Sequence, residues 1–197
     1  MDNITLRAPT FSSAAAASPD FESPTIPWLT ETWHVTHSSL PMWQSKRNVR
    51  IQYTPLPPSN PSIPAQNTDR LDDTVTFQTL YHSKLQTVRG VDKCASAGDG
   101  RGEWDWRGKG WLVIAGSHWE VLGWGEEADG NKWAVTCFAK TLFTPAGIDV
   151  YSKERAGVKR ETLQGIKKAL AASEDQAIRK MAGEMFEVKI DDMRGEE

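Results

Sequence analysis

The chain has 197 residues, 39% hydrophobic and 25% charged, a balance that excludes an intrinsically disordered chain and suits one domain with tails. Its 23 basic and 26 acidic residues leave a net charge of −3, without the basic surplus expected of a nucleic-acid binder. Nine tryptophans beside three tyrosines and six phenylalanines suit a core, an interface or a ligand cavity, and composition does not choose among these.

Residues 1–25 are rich in Ser, Ala, Pro and Thr without periodicity, which predicts a flexible leader. No basic region followed by an apolar run marks a secretion signal, and no stretch approaches the roughly 18 apolar residues of a membrane helix. With Cys94 and Cys137 as the two cysteines, the expected location is cytoplasmic, and one bridge between them stays open.

Residues 30–38 (TETWHVTHS) alternate, with Trp33, Val35 and His37 opposite Thr32, His34 and Thr36, and residues 47–54 do the same with Val49, Ile51 and Tyr53 on one face; both predict strands. Five prolines between 55 and 64 predict a long irregular loop. Alternation returns over 73–82 and again over 84–91, followed by a Gly-rich turn at 97–102. Three short aromatic strands are expected at 103–106, 110–115 and 117–124. Asp129-Gly130-Asn131 predicts a hairpin turn into a strand over 132–143, and 148–151 follows a turn at 144–147.

Only the end has helical spacing, through Val158, Leu163, Ile166 and Leu170. Ser173 with Gln176 predicts a capping box that opens a second short helix through Met181. A last strand is expected at 186–190 and a charged tail at 191–197. Eight or nine short antiparallel strands followed by a helix predict an all-β meander barrel, as one domain over 26–190 with the helix packed outside. Seven tryptophans fall on the predicted strands, six of them between Trp104 and Trp133 and on both strand faces, so they cannot all line one cavity.

Enzyme signatures are sparse. The glycine-rich runs at 99–102 and 108–110 lack the strand–loop–helix context of a phosphate cradle. No G-x-S-x-G elbow, HExxH or paired-cysteine spacing occurs, and His34 and His37 fall on opposite strand faces, so no metal is expected. Over 103–107, Trp104 and Trp106 share one face and Glu103, Asp105 and Arg107 the other. Asp105 and Arg107 either pair in solvent or, inside a cavity, anchor a ligand carbonyl or carboxylate. His118, Glu120, Leu122 and Trp124 share a face of the next strand. His118 and Glu120 lie about 6–7 Å apart there, within reach of acid/base work through a substrate or water unless both are merely solvated. Phe138 and Lys140 share a face that would line the same cavity. The candidates for chemistry are therefore Asp105, Arg107, His118 and Glu120, and those for ligand contact are Trp33, His37, Tyr53, Trp106, Trp124, Phe138 and Lys140.

The run from Trp33 to Leu56, with DWRGKGWL, SHWEVLGWG and FAKTLFTPAGIDVYS, resembles small lipocalin-like (calycin) proteins of filamentous fungi over roughly residues 26–155. Such barrels plug one end with a tryptophan on their first strand, in a G-x-W pattern; here Glu31-Thr32-Trp33 stands in its place, without the glycine. The resemblance implies an eight-stranded barrel enclosing a pocket for a hydrophobic small molecule, without cofactor, nucleic-acid or membrane partner, as monomer or homodimer. Some lipocalin-like proteins of natural-product pathways are cofactor-free cyclases or pericyclases, so a cyclisation or isomerisation of a polycyclic or polyketide-derived molecule is expected. The alternatives are a non-catalytic carrier of the same ligand class and a haem-binding barrel with His37 or His118 as axial ligand.

Overall fold

A computed structural model describes residues 4–12, 21–95, 102–142 and 144–191. Eight antiparallel strands follow one another around a barrel: β1 (Thr32–Ser38), β2 (Lys46–Pro55), β3 (Arg70–Thr79), β4 (Gln86–Cys94), β5 (Glu103–Gly108), β6 (Gly116–Glu126), β7 (Lys132–Phe138) and β8 (Gly147–Ser152). Each pairs with its neighbour in sequence, and β1 pairs with both β2 and β8, which closes the sheet. Closure removes the exposed edges on which short alternating strands would otherwise aggregate. A two-residue strand, β9 (Phe186–Glu187), adds beside the end of β1.

The alternation of each strand divides its side chains between two cores. Inside the barrel, Trp33, Val35, Val49, Tyr53, Trp104 and Trp119 belong to one buried cluster. Outside it, Leu122, Trp133, Val135, Cys137, Ile148 and Val150 form a second cluster with Ile166 and Leu170 of α2 (Arg160–Ala171) and Ile178 and Met181 of α3 (Gln176–Gly183). The strands β6 to β8 are thus covered on both faces, which accounts for the unbroken burial of residues 133–137 where the composition is almost wholly apolar. The predicted split of the tryptophans is realised: Trp33, Trp104 and Trp119 lie inside, Trp133 under the helices, and Trp111 on the surface.

The end of the barrel near Trp33 is closed by α1 (Ile26–Leu29), one helical turn capped by the Thr25 hydroxyl. The Trp33 indole N–H donates to the Leu29 carbonyl at 3.0 Å, and the Trp28 ring stands 5.0 Å from Trp33 and 4.9 Å from Trp124. The missing glycine before Trp33 does not prevent this plug.

Several expectations are corrected by local geometry. Residues 110–115 form no strand; Gly110 has a φ of +63°, and residues Gly110–Leu112 make a 3-10 turn that lays Leu112 over Gly108. α3 is capped by Asp175 rather than a Ser173–Gln176 box, its carboxylate accepting from the Ala177 amide at 2.6 Å; an anionic acceptor suits a helix N-terminus better than a hydroxyl. The strand over 132–143 ends at Phe138, and that over 186–190 at Glu187. Cys94 and Cys137 are free thiols packed in the inner and outer clusters respectively, so no bridge joins them. Of the expected leader, residues 4–12 pack along β6, with the Arg7 amide donating to the Leu122 carbonyl at 2.9 Å, while residues 13–20 lie outside the described residues. So do residues 97–101 of the Gly-rich turn, Phe143, and residues 192–197 of the tail. Asp191 accepts hydrogen bonds from Arg47 and Asn48.

Gly90 faces the barrel interior opposite Asp73, and a Cβ there would fall 2.0 Å from the indole nitrogen of Trp106. Gly90→Ala therefore displaces the Trp106 ring, with an overpacking cost of about 1–3 kcal/mol. Urea unfolding and the near-ultraviolet circular dichroism of the folded state check this, and wild-type values in both would refute it.

Candidate functional site

Of the four polar candidates, three meet, but on the outer face of the barrel. Asp105 and His118 are cross-strand partners on β5 and β6, and the His118 ring bonds Asp105 Oδ1 through Nδ1 at 2.8 Å and Glu120 Oε1 through Nε2 at 3.2 Å. Glu120 is fully buried, because residues 4–12 lie over it. Arg7 Nη1 donates to Glu120 Oε2 at 2.5 Å, and Thr10 donates through its hydroxyl at 2.6 Å and its amide at 2.9 Å. Burial alone would raise the Glu120 carboxyl, but the bonds from His118 and Thr10 and the Arg7 charge outweigh it and hold its pKa at about 2. The Glu120 hydrogen bond, with Asp105, raises His118. Arg107 is exposed, across from Gly116. This cluster clasps the amino-terminal segment to the wall, and none of it faces the barrel interior.

Two β-bulges redistribute the expected ligand contacts. A register shift between Val35 and His37 moves His37 off the face it shares with Trp33 in a regular strand and sets it beside Val150, on the outer wall. Burial and then Lys167 of α2 lower its pKa. Neither histidine of the haem alternative therefore points into the barrel. A second shift between Val121 and Gly123 separates Trp124 from His118 and Glu120 and turns it inward, where its N–H donates to the Glu22 carbonyl at 2.8 Å. Lys140 lies beyond the end of β7 and is exposed. Trp33 and Tyr53 belong to the inner cluster, and Trp106 and Phe138 pack against it.

The interior holds a different set of ionisable groups. Asp73 on β3, Asp92 on β4 and Asp149 on β8 are buried among the inner aromatics. Tyr53 pairs across strands with Asp73 and stacks on Trp119 at 5.6 Å, and Trp119 stacks on Trp104 at 6.0 Å, so three rings run across the barrel. The Trp119 N–H donates to Asp92 Oδ1 at 2.8 Å, and Trp106 bonds Asp73. Asp149 accepts from the Ser38 hydroxyl at 2.5 Å and the Trp43 N–H at 3.2 Å.

Burial favours the neutral form of each carboxyl. Desolvation pushes Asp92 up to about 7 against the Trp119 hydrogen bond, and Asp149 up to about 7 against those of Ser38 and Trp43. Asp73 is raised further by burial and then by the charge of Asp92 and Asp72. Burial thus favours the protonated form of Asp73, which can donate a hydrogen bond, beside Asp92, raised to about 7. Among the described residues, Asp73 Oδ1, Asp92 Oδ2 and the Trp104 N–H have no hydrogen-bond partner. Buried polar atoms are nearly always satisfied, so these three stand out among the interior groups. The sequence missed all three aspartates: Asp73 and Asp92 stand among other charged residues, and only the register shows them facing inward.

No protein-family model matches the chain. Over 171 residues it is 26% identical to the botcinic acid biosynthesis cluster B protein 12 of Botryotinia fuckeliana (strain B05.10), a match covering 84% of this chain and 74% of that protein. Among solved structures it is similar to the siderocalin Ex-FABP, with a TM-score of 0.53 at 15% identity over 83% of this chain and 94% of the other. It is also similar to lobster apocrustacyanin A1, with a TM-score of 0.54 at 9% identity over 96% and 92%. The fold is a lipocalin-like barrel, and the likeness to a fungal natural-product cluster protein agrees with the resemblance drawn from the sequence.

Two outcomes follow from these geometries. Glu120→Gln breaks the buried ion pair with Arg7, a loss of about 3–5 kcal/mol; hydrogen exchange at residues 4–12 rises above that of the wild type, and unchanged protection would show that the clasp does not hold the segment. For the interior acids, Asp92 keeps its proton to about pH 7 when folded, against the usual 3.8 of an aspartate. The folded chain therefore binds more protons than the unfolded chain between these limits, and this group's contribution to stability falls as pH rises through them. Asp92→Asn flattens that decline in urea midpoints taken across the window; a slope equal to wild type would place the titration elsewhere.

Proposed function

We propose that the protein binds an apolar, oxygen-bearing small molecule of polyketide type inside its barrel and accelerates a cofactor-free isomerisation or cyclisation of it in natural-product biosynthesis. The observation that carries this reading is the buried Asp73–Asp92 pair, whose unpartnered oxygens sit in an aromatic-walled interior with affinities for the proton driven upward. Two carboxyl groups whose environments separate their proton affinities can serve as acid and base in one step. Asp73, neutral, donates to a carbonyl or ether oxygen of the substrate as charge develops there. Asp92, ionised, accepts a proton from an adjacent carbon or hydroxyl; the substrate exchanges one proton for another, and exchange between the two carboxyls restores the starting state. The Tyr53–Trp119–Trp104 stack supplies flat walls that hold the chain in a reactive conformation. The likeness to a fungal botcinic acid biosynthesis cluster protein supports a role in such a pathway.

The second reading is a carrier of the same ligand class. What favours it is the likeness in fold to a siderocalin whose description gives it dual ligand specificities. Asp73→Asn and Asp92→Asn separate the two. Under the enzymatic reading each lowers turnover of the pathway intermediate by roughly 100- to 10,000-fold, while the bound molecule still quenches tryptophan fluorescence. Conversion at the wild-type rate in both variants, with quenching retained, leaves the carrier.

A further inference from the structure

The connections between β1 and β2, β3 and β4, β5 and β6, and β7 and β8 all emerge at the barrel end opposite α1, because the strands alternate in direction. They span residues 39–45, 80–85, 109–115 and 139–146. Among the described residues, seven large apolar side chains are exposed, and six of them, Met42, Tyr81, Trp111, Val113, Ile114 and Leu142, lie on these four connections. Tyr81 is 90%, Leu142 89%, Trp111 85% and Ile114 80% exposed. Singly exposed apolar residues need no explanation, but a ring of them around one end does.

The charges at this end are as uneven. The four connections contain Lys84, Lys109, Lys140 and His82 and no Asp or Glu, in a chain whose net charge is −3. The opposite end carries Asp69, Glu127, Asp129 and Glu154 in its connections, but beside Lys153, Arg155 and Lys159, the last paired with Asp129. Lys109 is engaged by Asp72 on the outer wall, which leaves Lys84 and Lys140 as the cations standing beside the apolar tips.

We propose that this rim docks on an anionic lipid surface, with Trp111, Ile114 and Leu142 entering the interfacial layer and Lys84 and Lys140 meeting the headgroups. Exposed aromatic and aliphatic tips interleaved with lysine are the side-chain chemistry of interfacial binding. Lys84 and Lys140 share this end with the apolar tips, so both contacts orient the barrel with its mouth toward the lipid. Two described carboxylates stand near this end: Glu187, across from His37, and Asp191, which is engaged by Arg47 and Asn48. No helix among the described residues is long and apolar enough to cross a membrane, so the contact is peripheral. It does not depend on whether the interior is catalytic.

The test is co-sedimentation of the full chain with vesicles of phosphatidylcholine plus phosphatidylserine and with vesicles of phosphatidylcholine alone. The wild type binds the mixed vesicles at least about tenfold more tightly, as two surface lysines allow, and binding falls as salt rises. Trp111→Ser/Ile114→Ser/Leu142→Ser and Lys84→Glu/Lys140→Glu each weaken that binding by about tenfold or more. Both sets replace exposed side chains, and an unchanged melting curve verifies the fold. Wild-type protein left in the supernatant with both vesicle types, equal binding to both compositions, or variants that bind like wild type would overturn the proposal. So would variants that lose a concentration-dependent self-association or a protein partner in place of vesicle binding.

Discussion

Everything in this structure depends on β1 pairing on both of its edges. That double pairing turns a meander into a closed tube, and an eight-stranded tube is only wide enough for its own side chains or one small ligand. From then on each residue of a strand is committed to one of two environments, a dry aromatic interior or an outer wall that is either wet or roofed. The proton affinities of Asp73, Asp92 and Asp149 are products of that commitment, since the same side chains one residue along would be solvated carboxylates. So is the opposite fate of Glu120, which is equally buried yet sits where Arg7, Thr10 and His118 can stabilise its charge.

The strands could be read from alternation because the apolar half of each is required by closure, and their boundaries fall within a few residues of where the pattern starts and stops. The faces could not be read so well. Alternation has no memory across a bulge, and those after Val35 and Val121 reverse the side on which His37 and Trp124 emerge. The His118–Glu120 pair was legible as a pair, since spacing alone brings the two together, but not as an outer one, because its cover comes from a segment more than a hundred residues earlier. The stretch at 110–115 looked like a strand because its side chains are apolar; they are apolar at an exposed turn, where burial is not what selects them. The three interior aspartates had no local signal at all, for an acid on an inner face looks in sequence like any acid on a strand.

The two ends of the barrel are built differently, and the division is consistent with a one-way container. At one end Trp28, Trp33 and Trp124 pack against a capped helical turn, with every indole near a neighbour. At the other the connections are short, apolar at their tips and poor in acid. The ionisable interior lies between them. The outer faces of β6 to β8 pack under α2 and α3 through Ile166, Leu170, Ile178 and Met181.

The clasp between Arg7 and Glu120 also orders the birth of the molecule. Arg7 leaves the ribosome early, and its counter-charge follows 113 residues later; β1 likewise waits for β8 before its second edge is paired. During that interval a guanidinium destined for burial must remain in water, and the first strand presents one open edge. The amino-terminal half therefore cannot become independently native while the chain is being made. Translation must reach β6 before the clasp can form and β8 before the tube can close, so the first strand's fold waits on the last.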